Sequence, residues 1–196
     1  MNISMKIFFL YFLIILSLLS LQTSYADRIV SSQQLVEDLY GDLVVISMKE
    51  LSTDEQETKL KNLFEKYVDI PIIARAVLGK SWREANSDQR KRFIDAFKGY
   101  VSNKYGRQFS EFKGTTLEIV KSRDTLTKAG VLVSTEVVVP GNPPLKVVWQ
   151  VSDGSGALKL VDLRVEGISM LSTERQEFRS KLKKFNGSLE DLILGI

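Results

Sequence analysis

The chain contains no histidine and no cysteine, which narrows the chemistry that its side chains could perform. Both usual ligands of zinc and copper are missing, as are the Ser-His and Cys-His pairs of nucleophilic catalysis. An enzyme would therefore have to use carboxylates, lysines or tyrosines. Glu136 and Asp162 are one such carboxylate pair, which could serve glycoside hydrolysis if both faced one cleft. Their position in the strand pattern instead predicts that both are solvated side chains on polar strand faces.

Two further small-residue features also have structural explanations. The glycine-rich residues 153–156 lie between two strands with no helix after them, so they predict a hairpin turn and not a phosphate-binding loop. Ser169 has no base partner in the sequence, and its position after Gly167 predicts that it bonds backbone at the corner between the sheet and the next helix. We therefore expect no catalytic residue, no metal and no cofactor.

Residues 1–26 have the form of a secretory signal peptide. Lys6 supplies a positive charge, an apolar run follows it, and a small-x-small cleavage site ends at Ala26. The run is too short to span the ~30 Å hydrocarbon core comfortably, and an uncleaved N-terminal anchor is the alternative. The pattern predicts export, cleavage after Ala26 and one mature domain over residues 27–196.

The charge distribution argues against a nucleic-acid partner. The formal net charge is +3, and lysine and arginine are scattered along the chain. A nucleic-acid-binding domain usually carries a clustered basic stripe. Export from the cytoplasm would also separate the protein from most nucleic acid.

The first half of the chain has helical periodicity and helix-capping residues. Residues 31–48 predict one helix, and Ser52 opens the next in capping-box form. A third helix follows Asp69 and ends at Gly79. A long helix begins at Asn86 or Ser87, and it carries an apolar stripe at Phe93, Phe97, Tyr100, Val101 and Tyr105. Such a stripe is typical of a packed core, and the wall of a ligand cavity is the alternative.

The second half changes to a period of two. Strands are predicted over residues 115–122, 130–139, 145–151 and 158–166, with Gly167 ending the sheet. Their short connections predict an antiparallel meander. Two closing helices are expected to begin at Ser172 and Ser188. The fold class is therefore α+β, with helices packed on one face of a four-stranded antiparallel sheet.

Two long motifs resemble the MlaC family of periplasmic phospholipid-binding proteins. They are AVLGKSWREANSDQRKRFIDAF, followed by YVSNKYG, and later VDLRVEGISMLSTERQEF. The order of LG-x-x-W, Q-R-x-x-F, four strands, E-G-I-S and R-Q-x-F matches the family across nearly all of residues 27–196. Leu158 departs from the pattern, because the family would have a tryptophan at the start of the fourth strand.

The resemblance implies a soluble periplasmic phospholipid carrier that is neither an enzyme nor a metalloprotein. Its cargo would be a glycerophospholipid whose acyl chains lie in a cavity between the helices and the sheet. Its partners would be an inner-membrane ABC transporter with an MCE-domain subunit and an outer-membrane lipoprotein–porin complex, within the system that maintains outer-membrane lipid asymmetry. A monomer is expected.

Strand and helix parity, combined with the resemblance, predict the residues that contact lipid. The acyl-chain residues are expected to be Val77, Leu78, Trp82, Phe97, Tyr100, Tyr105, Val133, Val137, Val147, Trp149, Val165 and Ile168. Phosphate favours arginine and lysine, so the head group is expected near Arg75, Lys80, Arg83 and Arg164.

Other readings of the sequence remain open at this point. The same fold with a solid core could be a non-catalytic module that docks on a membrane transporter. The cargo could also be a hopanoid-type lipid. A carboxylate enzyme is the least favoured class, because no carboxylate pair is clearly placed in one cleft.

Overall fold

The computed structural model of the chain describes residues 26–49, 51–106 and 112–196. The predicted signal peptide falls mainly on residues 1–25, which lie outside the described residues. Helix α1 covers residues 26–47 of the described chain. It is followed by α2 (Thr53–Tyr67), α3 (Ile70–Leu78), α4 (Lys80–Glu84) and α5 (Ser87–Gly106). Within the described ranges, no helix combines the length and the apolar content needed to cross a membrane.

The strands form one antiparallel meander, in the order in which they occur in the chain. They are β1 (Thr116–Asp124), β2 (Val131–Val138), β3 (Leu145–Ser152), β4 (Lys159–Val165) and β5 (Ile168–Ser169). Helices α6 (Met170–Lys184) and α7 (Leu189–Leu194) close the chain. The α+β class and the four predicted strands are confirmed.

The sheet has a fifth strand that the sequence analysis did not predict. Glu166 and Gly167 both have positive φ, at 49° and 82°, and they turn the chain into the two-residue strand β5. A two-residue strand is too short to show a period, so Gly167 was wrongly expected to end the sheet. The next helix likewise begins at Met170 and not at Ser172, because the Ser169 side chain caps it by accepting from the Ser172 amide at 3.0 Å.

The predicted helix caps are formed by the expected residues. Asn86 and Gln89 make the reciprocal bonds of a capping box, at 2.9 and 3.0 Å. Asp69 accepts from the Ile72 amide at 3.1 Å, and Gly79 ends α3 with a positive φ of 57°. Local side-chain chemistry therefore sets where these helices begin and end.

The core lies between one face of the sheet and the helices. Alternate residues of β2 and β3 point into it and are almost fully buried, namely Val131, Val133, Val147, Trp149 and Val151. On the helical side, the rings of Phe93, Phe97 and Phe178 are fully buried and pack together with centroids 5.4–5.7 Å apart. Helices α5 and α6 are thereby joined by an aromatic cluster.

Gly130, at the start of β2, is expected to tolerate no side chain. Its φ is +85°, and a Cβ atom built there would collide with the carbonyl oxygen of Val151. We expect Gly130→Ala to lower the free energy of unfolding by more than about 1 kcal/mol, because it adds backbone strain to a backbone collision. Urea denaturation measures the change.

Gly41 in α1 provides the matched control for this substitution. Nothing lies within 4 Å of a Cβ added there, and its φ is not positive. Gly41→Ala should therefore raise stability by about 0.5–1 kcal/mol through helix propensity. An equal effect of the two substitutions would contradict the assignment of a close backbone approach at Gly130.

Candidate functional site

An apolar cavity of about 320 Å³ lies between β4 and the helical layer. Its helical wall consists of α2, α3, α5 and α6, and its opposite wall is β4. The apolar side chains that line it are Phe64, Val68, Ile70, Ile73, Phe97, Val101, Tyr105, Phe112, Leu160, Val161, Leu163, Val165, Met170 and Leu171. Two carboxylates, Asp162 and Glu174, also contribute to the wall. The space thus suits a hydrocarbon ligand with few polar contacts.

Helix α5 supplies the longest continuous part of the wall. Phe97, Val101 and Tyr105 follow one another at intervals of four residues, so they lie along one stripe of the helix. The same helix packs Phe93 and Phe97 into the aromatic cluster. The stripe is therefore shared between packed core at its N-terminal end and cavity wall at its C-terminal end.

A β-bulge in β4 forms much of the opposite wall. Gln150 pairs with Asp162 while Val151 pairs with Leu160, so Val161 is an extra residue in the ladder. Both Leu160 and Val161 are buried and line the cavity. The predicted strict alternation of inward and outward side chains is thus interrupted at Val161. As a result, the neighbouring residues Leu160 and Val161 both contribute apolar surface to the cavity wall.

Asp162 is buried and not solvated, which corrects the prediction for this residue. Its carboxylate is 4% exposed and accepts the Ser169 hydroxyl in a hydrogen bond that its two oxygens share, at 2.8 and 3.0 Å. It also accepts from the Leu171 amide at 3.0 Å and from Arg164 at 3.3 Å. The side chain therefore ties β4 to the start of α6, a contact that strand parity alone could not indicate.

A network of charged and phenolic groups lies at the α5–α6 side of the cavity. Lys104 donates to Glu174 Oε1 at 2.7 Å, and Tyr105 donates to the same oxygen. Lys104 also bonds Glu177, which accepts from Tyr100 at 2.8 Å. Burial alone would lower the pKa of Lys104, but its hydrogen bonds to Glu174 and Glu177 outweigh burial and raise the pKa above its ordinary value.

The titration of Glu177 predicts how stability depends on pH. Burial alone would raise the pKa of Glu177, but hydrogen bonds from Lys104 and Tyr100 outweigh it and lower the pKa to about 2 from 4.5. A carboxylate with a lowered folded-state pKa contributes stability above its unfolded pKa and loses it as pH falls toward the folded value. We therefore expect Glu177→Gln to be less stable than the wild type at pH 7.

The difference in free energy of unfolding between the wild type and Glu177→Gln should become smaller as pH falls from about 5 to about 2.5. In this range the wild-type carboxylate becomes protonated in the unfolded chain before it does so in the folded protein, so its contribution to stability is progressively lost. Urea denaturation of both proteins at each pH measures this difference. The contributions of the other acidic groups to the pH dependence cancel in the difference, because both proteins contain those groups. A difference that stays constant from pH 7 to 2.5 would contradict the role assigned to Glu177.

The structure brings only some of the predicted acyl-chain residues to the cavity. Phe97, Tyr105 and Val165 line it. Five others are buried in the packed core and do not line it, namely Val77, Leu78, Val133, Val147 and Trp149. The Trp149 indole donates to Thr135 at 2.9 Å, which fixes the ring in that core.

The other four predicted acyl-chain residues lie elsewhere. Val137 lines a second pocket beside the β2–β3 loop, and Tyr100 lies on another side of α5 with Lys104. Trp82 is half-buried under the Arg90 guanidinium, and Ile168 in β5 is 61% exposed. Their contact with lipid remains a prediction.

None of the four predicted head-group cations lies in the cavity wall. Arg75 and Arg83 are exposed on α3 and α4, and Lys80 pairs with Glu84 at the surface. Arg164 is linked to the cavity wall indirectly, because it donates a hydrogen bond to Asp162, which does line the cavity. Their role remains a prediction.

Sequence reasoning missed much of the wall. Phe64 and Val68 belong to the apolar face of the helix that Ser52 opens, but nothing in the sequence shows that this face borders a cavity and not a solid core. Glu174 could have been found, because it lies one turn before Phe178 and two turns before Leu182 on the apolar stripe of α6. A carboxylate on such a stripe needs a buried partner or a ligand. Among the described residues, no cluster of three or more potential metal ligands occurs.

The fold and site together define a class of protein in which helices cover one face of an antiparallel sheet and enclose an apolar ligand cavity. The chain belongs to the MlaC family, whose model, described as MlaC protein, matches residues 33–195. The resemblance stated from the sequence motifs is thereby confirmed.

Known proteins that are similar to this chain include a curated relative and a solved structure. The intermembrane phospholipid transport system binding protein MlaC of Haemophilus influenzae is 21% identical over 143 residues, which cover 71% of this chain and 67% of the relative. A phospholipid-binding protein from Ralstonia solanacearum, solved in complex with a phospholipid, superposes with a TM-score of 0.68 at 17% identity. That match covers 85% of this chain and 93% of the other, and it supports the fold.

Proposed function

We propose that this chain is a carrier that holds phospholipid acyl chains in the cavity between β4 and the helices. The observation that carries the proposal is the apolar cavity of about 320 Å³ in a chain of the MlaC family. The names of both similar proteins refer to phospholipid, which agrees with a hydrocarbon-lined site. The chain's part would be to bind and release lipid without chemical change.

The energetics of hydrocarbon burial support such a role. Each buried methylene contributes ~0.8 kcal/mol, so a sixteen-carbon chain would gain roughly 12 kcal/mol before the costs of association. A ligand held so tightly would leave slowly without help. We therefore propose that a membrane partner opens the cavity by moving a helix.

The size of the cavity supports the same opening motion. Its volume is at the lower end of the range of about 300–1,000 Å³ that is typical of ligand pockets. A lipid with two acyl chains would need more room than this closed form provides. The wall helices α3, α5 and α6 would have to separate from β4 when such a lipid enters.

Within the cavity, we propose that Phe97, Tyr105 and Val165 contact the acyl chain. The head group would remain near solvent, where Arg164 is the predicted cation closest to the wall through Asp162. The chain would work in the periplasm after cleavage of residues 1–26, with residues 27–196 as one domain.

The partners of such a carrier would be two membrane complexes. We propose an inner-membrane ABC transporter with an MCE-domain subunit as one of them, and an outer-membrane lipoprotein–porin complex as the other. The protein would shuttle lipid between them as a monomer, in the system that maintains outer-membrane lipid asymmetry.

Native mass spectrometry tests the binding step directly. The full chain would be expressed with export to the periplasm and purified without added lipid or detergent. We expect an additional mass of about one phospholipid per protein, identified after solvent extraction. A clean apo mass, together with no uptake of labelled phospholipid from vesicles, would overturn the proposal.

A further inference from the structure

Glu174 has a carboxylate oxygen for which the described residues, 26–49, 51–106 and 112–196, provide no hydrogen-bond donor. The residue is 3% exposed and lines the cavity, and its Oε1 accepts from both Lys104 and Tyr105. Its Oε2 is buried and has no hydrogen-bond partner in the part of the chain that the structure describes. A buried carboxylate oxygen without a donor is unfavourable, because the water that solvated it has been removed and not replaced.

In Asp162, the other carboxylate of the cavity wall, both oxygens accept hydrogen bonds from the protein. Asp162 Oδ1 accepts from the Ser169 hydroxyl and the Leu171 amide, while Oδ2 accepts from Ser169 and Arg164. Both oxygens of Asp162 are therefore used to hold the fold together. Glu174 differs, since only one of its two oxygens is used in this way.

The charges around Glu174 indicate which kind of donor is missing. Lys104 bonds both Glu174 and Glu177, and Lys181 pairs with Glu177 at 3.4 Å. Within the described ranges, the two lysines thus balance the two carboxylates. A neutral hydroxyl would complete the hydrogen bonding without disturbing this balance, whereas a cationic donor would add an uncompensated charge.

The network also runs from solvent to the cavity. The side chains of Lys104 and Glu177 are 31% and 35% exposed, whereas that of Glu174 is 4% exposed. Lys104 bonds Glu174 directly and therefore holds it in place at the apolar wall. Phe97, Val101 and Tyr105 extend from this point along α5, next to the path that a hydrocarbon chain would take.

We propose that Glu174 Oε2 is a binding subsite for a hydroxyl group of the lipid cargo. The subsite rests on the proposed function, since the hydroxyl would arrive on a lipid that occupies the cavity. The hydroxyl donates to Oε2 from the cavity side, while Lys104 and Tyr105 keep Oε1 occupied. The carrier therefore prefers lipids with a free hydroxyl next to the hydrocarbon region over lipids that lack one.

Two matched lipid pairs test this preference and separate the possible sources of the hydroxyl. The first pair is 1-O-hexadecyl-sn-glycero-3-phosphocholine and its 2-O-methyl ether, which differ only in a hydroxyl on the glycerol backbone. The second pair is dioleoyl phosphatidylglycerol and dioleoyl phosphatidylmethanol, which differ in the hydroxyls of the head group. Each pair would compete in equal amounts for the delipidated full chain, with native mass spectrometry as the readout.

We expect the wild type to bind the hydroxylated member of at least one pair about tenfold more tightly, as one charge-assisted hydrogen bond allows. Glu174→Gln should reduce this preference to about twofold or less, because an amide donor then replaces the free acceptor. Glu177→Gln is the matched control, since it changes the same network away from the cavity wall and should retain the preference. Circular dichroism verifies that both variants fold.

The outcomes distinguish the two proposals. Equal binding within both pairs by the wild type, with lipid still bound, would overturn the hydroxyl subsite and leave the carrier function standing. Equal loss of preference in Glu174→Gln and Glu177→Gln would also overturn the subsite, because the effect would then belong to the network as a whole. No binding of any of the four lipids would overturn the carrier function and the subsite with it.

Discussion

Val165→Trp is expected to weaken lipid binding roughly 100-fold while the protein remains folded. Val165 lies on β4 and lines the cavity from the sheet side, where a larger side chain can enter existing space. An indole there would displace about four methylenes of the ligand, worth about 3 kcal/mol at ~0.8 kcal/mol each, or roughly 100-fold in affinity. Native mass spectrometry and uptake of labelled phospholipid measure the loss.

Val133→Trp is the matched control for this substitution. Val133 lies in the same sheet, but it is fully buried and does not line the cavity. A tryptophan there must overpack the core, at a cost of about 1–3 kcal/mol of stability. If Val165→Trp destabilised the protein as much as Val133→Trp does, the space beside β4 would not be a cavity.

Phe178→Ala is expected to cause the largest loss of stability, about 3–5 kcal/mol. Phe178 is fully buried, and its ring meets those of Phe93, Phe97 and Tyr100 edge to face, with centroids 5.1–5.7 Å apart. Removing the ring deletes these contacts and leaves a void between α5 and α6. Urea denaturation monitored by circular dichroism measures the change.

Phe178→Leu separates lost volume from lost aromatic contacts. A leucine keeps most of the apolar burial, so it should cost clearly less than the alanine variant. A loss below about 1.5 kcal/mol for Phe178→Ala would show that the cluster does not join α5 to α6 as described. The result also bears on the cavity, because both helices form its wall.

Elements with local signals were predictable from the sequence. The capping pairs Ser52–Glu55 and Asn86–Gln89 formed, because a cap needs only residues three apart in the chain. The strand boundaries were close for the same reason, since alternation is visible within a few residues. The strand β5 was missed because two residues carry no period.

The cavity was only partly predictable. Of the residues predicted to contact lipid, Phe97 and Val165 line the cavity, whereas Val133 and Trp149 are buried in the core and do not line it. Periodicity tells which face of a strand or helix is apolar. It does not tell whether the opposing surface touches that face or stands away from it, because this depends on the tilt of elements distant in sequence.

The sequence by itself therefore determined the α+β class, the helix caps, the strand order and the family. The tertiary structure alone decided that the space opens beside β4, where a bulge at Val161 turns extra apolar surface toward the helices. It also decided that Asp162 is buried under the start of α6 and that, among the described residues, Glu174 keeps one oxygen without a donor. These are long-range properties, since each depends on side chains that approach one another only when α5, α6 and the sheet are packed together.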